Sequence, residues 1–178
     1  MADYNYKSYV KENNLFIDTW EPPSVASIYD DVLKFSDCSN VTVTSISVSG
    51  GKEDCIDAVR GSNYLFENLN LYPLENGITI KGSIDGWHLK NILFSRKGAE
   101  YTIEIGQFDN YWYPGRPPTR NGIVENVTVI TGEKVDIRVW DGEVPKVLGN
   151  QNVKITKIPK FIWYPYFLFR RWQINRNK

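Results

Sequence analysis

The densest run of residues able to do chemistry is GGKEDCIDAVRGS at 50–62, which gathers Lys52, Glu53, Asp54, Asp57 and Arg60. Two carboxyl groups in different surroundings can divide into proton donor and proton acceptor, and an inverting glycosidase needs such a pair about 6.5 to 9.5 Å apart. Glu53 and Asp54 are neighbours in the chain, with Asp57 or Asp85 as alternatives for the second group. Elimination needs instead a Lys or Arg base and usually a cation held by carboxylates. Lys52, Arg60, Lys81 and Arg96 could supply the base, and Asp54, Asp57, Asp85 and Glu104 the ligands. The same charges also read as a salt-bridge network for structure or ligand binding. No histidine-rich metal spacing occurs, His88 being the one histidine, and no metal or cofactor is expected.

A second group lies in QFDNYWYPGRPPTRN at 107–121, where Tyr111, Trp112, Tyr113, Arg116 and Arg120 share a loop stiffened by Pro114, Pro117 and Pro118. Aromatic faces take the apolar faces of sugars and Arg forks take carboxylates, so the loop reads as a binding platform or as a strut along one flank. Arg60, Trp87, His88, Tyr111, Trp112 and Arg116 form the candidate ligand-binding set. Trp87 and His88, in GWHLKN, also simply continue the alternation of a strand.

These side chains need a frame, and a repeated phrase supplies its outline. CSNVTV, FENLNL, LKNILF, VENVTV and NQNVKI each set an Asn before an alternating apolar pair, at Asn40, Asn68, Asn91, Asn126 and Asn152. Between them lie DCIDAV, GITIKG, YTIEIG and VDIRVW, short period-two runs bounded by turn residues. Units of this size cannot bury an apolar side alone and must stack. Asparagines recurring at corners can bond their own backbone and the next amide, which predicts an all-β, single-stranded, right-handed parallel β-helix of about five coils over 36–158. Residues 41–43, 69–71, 92–94, 127–129 and 153–155 should then stack in one sheet, with Asn68 and Asn91 buried at a turn. Alternation leaves the register at 52–60 open, and a bend near Asp54 is expected, with Asp57 and Arg60 toward the opposite rim.

The 178 residues suit one domain: residues 1–35 as an N-terminal cap with helix-like spacing at Ile28, Val32 and Phe35, the coils, and 159–178 as an aromatic C-terminal cap. KFIWYPYFLFRRW at 160–172 is an end cap or, through 161–172, an interface with a protein partner or a second copy. Lys plus Arg and Asp plus Glu are 21 each, so nucleic acid is not an expected partner. No signal peptide and no membrane span is read, leaving a cytoplasmic or virion-associated location. Cys38 and Cys55 read as free, buried thiols.

EDCIDAVRGSNYLFENLNLYPLENGITIKG resembles the polygalacturonase branch of the pectin-lyase-like β-helix family, in which a DDC phrase opens a strand and a later G-H-G phrase opens its equivalent. The resemblance implies Asp54 as general acid, Glu53 as the neighbouring carboxylate and Lys81 as a basic, substrate-binding residue. The family's upstream N-T-D phrase has no counterpart, and Glu75, Asn76 and Gly77 stand where its histidine belongs. The functional expectation is therefore a non-catalytic carbohydrate-binding or structural module of a viral or cell-surface assembly, tail-spike-like or adhesin-like, with a polysaccharide or glycan as partner. The alternative is a polysaccharide-degrading enzyme, hydrolase or lyase, working through the Glu53 and Asp54 region.

Overall fold

The computed structural model describes residues 16–17, 31–50, 53–96, 101–107, 109, 115–149 and 152–159. Among the described residues twelve strands follow one another: β1 (Phe16–Ile17), β2 (Leu33–Thr44), β3 (Ser47–Gly50), β4 (Asp54–Pro73), β5 (Asn76–Lys81), β6 (Asp85–Phe94), β7 (Tyr101–Ile105), β8 (Arg120–Glu125), β9 (Thr128–Val129), β10 (Val135–Val139), β11 (Lys146–Leu148) and β12 (Val153–Lys157). All belong to one sheet, whose main path runs β11-β8-β6-β4-β5-β7-β10-β12. The pairings along that path are parallel. β4, 20 residues long, is the pivot: its first part pairs with β5 and its later part with β6, so the sheet must curl around it.

The curl is made where side chains rarely allow it. Asn40, Asn63, Asn68, Asn91, Asn121 and Asn126 hold φ between 50° and 57°, the left-handed region that Asn tolerates because its short amide can bond locally. The ladder skips Asn40, Asn63, Asn68, Asn91 and Asn121 and resumes in the same register on the other side, so the strand is re-aimed there. Between them, apolar residues alternate inward: Leu33, Ile56, Ile78, Ile103 and Ile137 pair in one row, and Phe35, Ala58, Ile80, Ile105 and Val139 in another. All ten are buried, and the Phe35, Tyr64 and Phe66 rings lie 5.7 to 6.5 Å apart between centroids. β5 and β7 are covered on both faces, which places their outer polar residues out of solvent as well.

This arrangement corrects the expected architecture. The fold is all-β, but it is a single curled parallel sheet, a half-barrel, in place of a right-handed β-helix of about five coils. Residues 41–43 lie on 64–66 and not on 69–71, and 153–155 lie on 135–137 and not on 127–129. One Asn phrase is therefore not one layer, because the pairing register follows the bends and not the phrase. The pectin-lyase-like resemblance, carried by the EDCIDAVRGS stretch, implied a β-helix and is overturned by the single curled sheet.

Asn68 and Asn91, expected to be buried, are exposed. Val32 and Phe35, placed on a helical turn by their spacing, are buried core residues, and Phe35 sits on β2. Ile28 and the aromatic segment 160–172 lie outside the described residues. Cys38 and Cys55 are free and buried. Among the described residues, no helix is long and apolar enough to cross a membrane.

Candidate functional site

The polar face of the sheet carries a charged row across β2, β4, β5, β7 and β10. Lys34 on β2 pairs in register with Asp57 on β4, Asp57 with Thr79 on β5, Thr79 with Glu104 on β7, and Glu104 with Arg138 on β10. Alternation explains this placement, since each residue sits between two inward apolar neighbours of its own strand. Asp54 joins the row from outside the alternation. It pairs with Asn76, and pairing resumes at Ile56 with Ile78, so the ladder is interrupted at Cys55. The break brings Asp54 round to accept a hydrogen bond from Thr79 Oγ1 at 2.9 Å.

Three carboxyl groups meet here. One oxygen each of Asp31, Asp54 and Asp57 lies within 4.8 Å of the others. Such a trio could hold a divalent cation, but an ammonium group lies in the gap: Lys34 Nζ is 2.7 Å from both Asp31 Oδ2 and Asp57 Oδ2. Lys81 Nζ approaches Asp57 Oδ1 at 3.2 Å. Asp57 is thus a buried carboxylate between two cations, its side chain 1% exposed. Lys34, 47% exposed, is the cluster's most open member.

The surroundings push the groups apart in acidity. Burial, and then the charge of Asp57, raises the Asp54 carboxyl to about 8, so it carries its proton at neutral pH. Burial and Asp57 likewise raise Asp31. For Lys34 and Lys81, burial disfavours the ammonium, but Asp57 with Asp31 at Lys34, and Asp57 with Asp54 at Lys81, outweigh it and hold both above the ordinary lysine range. A protonated carboxylic acid beside a cation-flanked carboxylate is the division that acid and base roles require.

Of the residues singled out by sequence, Asp54, Asp57 and Lys81 come together. Glu53 is exposed, and its backbone carbonyl accepts from Asn76 N. Arg60 does not join Asp57; it binds Asp37 through Nε and Nη2. Trp87 is a core residue whose ring lies over Gly122, His88 pairs with Glu125 at 2.9 Å, and Arg116 is exposed. Tyr111, Trp112 and Lys52 lie outside the described residues. The described members of the expected glycan-binding set meet different neighbours, and the buried carboxyl cluster of Asp31, Asp54 and Asp57 favours the enzymatic alternative; this corrects the binding-module reading. The asparagines divide too. Asn91 donates to Asn68 and Asn126 to Asn91, at 3.0 and 3.2 Å, whereas Asn40 accepts from Asn63 and Asn152 donates to the Gly132 carbonyl.

Asp31 and Lys34 were missed because they fall in a segment read as a cap. The available signal was Lys34 itself, a charge between Leu33 and Phe35 on an alternating strand. Thr79 carried no signal, since Thr is an ordinary strand residue. Comparison of the chain with protein-family models, with curated proteins and with solved structures found no match.

Proposed function

We propose that this protein cleaves glycosidic bonds in a polysaccharide, with Asp54 as general acid and Asp57 as the second carboxylate. The observation that carries the reading is the pair itself: a buried carboxyl held protonated to about 8 beside a carboxylate fixed by two ammonium groups. Asp54 would give its proton to the departing glycosidic oxygen while Asp57 attacks or stabilises the developing charge at the anomeric carbon. Their facing oxygens are within 4.8 Å, closer to the roughly 5 Å spacing of retaining enzymes than to the 6.5–9.5 Å of inverting ones. That spacing favours Asp57 as a nucleophile. Hydrolysis is favoured over elimination because Lys34 and Lys81, the bases within the cluster, are held protonated by their carboxylate partners. Lys34, partly open to solvent, suits the carboxylate of an acidic sugar.

The test is incubation with polygalacturonate, alginate and a panel of bacterial surface polysaccharides, reading new reducing ends and the absorbance of an unsaturated product. Reducing ends without that absorbance, lost in a folded Asp54→Asn variant, are the expected result. Turnover unaffected by Asp54→Asn would overturn the assignment.

A further inference from the structure

The inward apolar rows of the sheet finish differently at their two ends. One row runs Leu33, Ile56, Ile78, Ile103, Ile137, Ile155, and another runs Val43, Phe66, Leu89, Val124, Val147. At the β2 end Leu33 is 4% exposed and Val43 fully buried, so the core is covered there. At the other end Ile155 is 39% exposed, although its partner Ile137 is fully buried. Val147 on β11 is half-buried beside a fully buried Val124, and Val153 on β12 packs on the core yet is half-buried too. Among the described residues, β11 pairs only with β8 and β12 only with β10, which leaves the outer edge of each open. Apolar row ends beside open strand edges are a surface on which further chain can be seated.

The course of the chain and the charges at this end name the occupant. Ile158 N donates to the Val139 carbonyl at 2.8 Å, which holds the backbone along β10 to within two residues of Lys160. Lys160 opens KFIWYPYFLFRRW, outside the described residues, in which 161–169 carries no charge and is apolar or aromatic at every position but Pro165. Leu148 and Val153 are five residues apart in sequence, so the edges of β11 and β12 approach within about 18 Å. Nine extended residues reach roughly 30 Å, enough to cross both. A second copy fits worse. The covered β2 end offers it no open row, so two copies could meet only through the same end of each. That end carries exposed Lys146, Lys154 and Lys157, and β11 and β12 contain no carboxylate, so like charges would be brought face to face. The uncharged stretch 161–169 meets no such repulsion, and its short tether supplies it at an effective concentration of about millimolar.

We propose that the open end of the core is the docking surface for the chain's own C-terminal segment, with aromatic side chains of 161–169 seated on Ile155, Val153 and Val147. Seating there covers the exposed face of Ile155 and the outer edge of β12. The docking neither needs nor supports the glycosidase reading.

The test is NMR on the full chain carrying 13C-labelled isoleucine methyl groups, with Ile155→Val assigning the Ile155 signals. These should show nuclear Overhauser contacts with rings of residues 161–169. Amide exchange followed by mass spectrometry gives a second readout. In the wild type β12 should exchange as slowly as β10, and in a Trp163→Ser, Phe167→Ser double variant β12 should exchange at least about tenfold faster with β2 and β4 unchanged. Ile155 methyl groups without ring contacts to 161–169 in the wild type, or β12 protection unchanged in the double variant, would overturn the proposal. Contacts seen only between labelled and unlabelled copies in a mixed sample, together with a dimer mass, would assign the surface to a second copy and overturn it as well. If the double variant loses protection in β2 and β4 and so does not fold, the wild-type methyl contacts decide alone.

Discussion

Asp54→Asn should change how stability depends on pH more than it changes stability itself. In the unfolded chain Asp54 ionises near its ordinary 3.8, and in the folded chain near 8. Between these values the folded state holds a proton that the unfolded state has lost, so stability is full below the lower value and falls as pH rises through the upper one. Each pH unit in that window is worth about 1.4 kcal/mol, giving on the order of 5 kcal/mol across it. Asparagine copies the shape of the protonated acid and keeps an oxygen for Thr79 Oγ1, but cannot ionise. The variant and the wild type should melt within a few degrees of each other near pH 4. Near pH 9 the variant should be the more stable, by roughly 10–20 °C at about 2–4 °C per kcal/mol for a chain of this size. Thermal melts followed by circular dichroism at half-unit pH intervals measure this directly. Two curves that stay parallel across the window would refute the claim that burial keeps Asp54 protonated.

Asp57→Ala should cost about 3–5 kcal/mol in urea unfolding, because Lys34 and Lys81 lose a buried partner at once. Asn91→Ala removes the amide bonds to Asn68 and from Asn126 and gives a φ of 52° to a residue with no polar side chain; a loss of about 1–2 kcal/mol is expected, and Asn91→Gly should lose less. At Gly122 a Cβ would lie 2.0 Å from the Trp87 ring, so Gly122→Ala should lower the melting point by an overpacking cost of about 1–3 kcal/mol and alter the near-ultraviolet signal of the tryptophans.

Local pattern made the strands legible and left their partners hidden. DCIDAV, GITIKG, YTIEIG and VDIRVW coincide with the start of β4 and with β5, β7 and β10, which pair in that order, because period-two alternation is a property of each segment alone. The layer to which a segment belongs depends on where the chain bends. Asn63, followed by Tyr64, Leu65 and Phe66 in the same form as the repeated phrase but not counted among the five, is the partner of Asn40, and that one substitution of partner displaces the expected stack. At the site, Asp54 and Asp57 were legible as residue types. Their meeting on one face depends on the break at Cys55, and their neutralisation depends on Lys34, 23 residues away from Asp57 in sequence. A bend near Asp54 is within reach of the local pattern; the partnership with Lys34 is not visible in a window of ten residues.

The spacing of the cross-strand bonds bears on how the molecule is made. The Asn63–Asn40 and Asn91–Asn68 bonds each span 23 residues, and the Thr79–Asp54 bond spans 25. Each strand therefore finds its template in chain that has just been synthesised, and among the described residues no pairing waits for the far end. Loop-closure entropy is met in similar, modest steps in place of one large one. Assembly can proceed as a zipper running from β2 through β4 and β6 toward β8, with the bonded asparagines fixing the register along that branch.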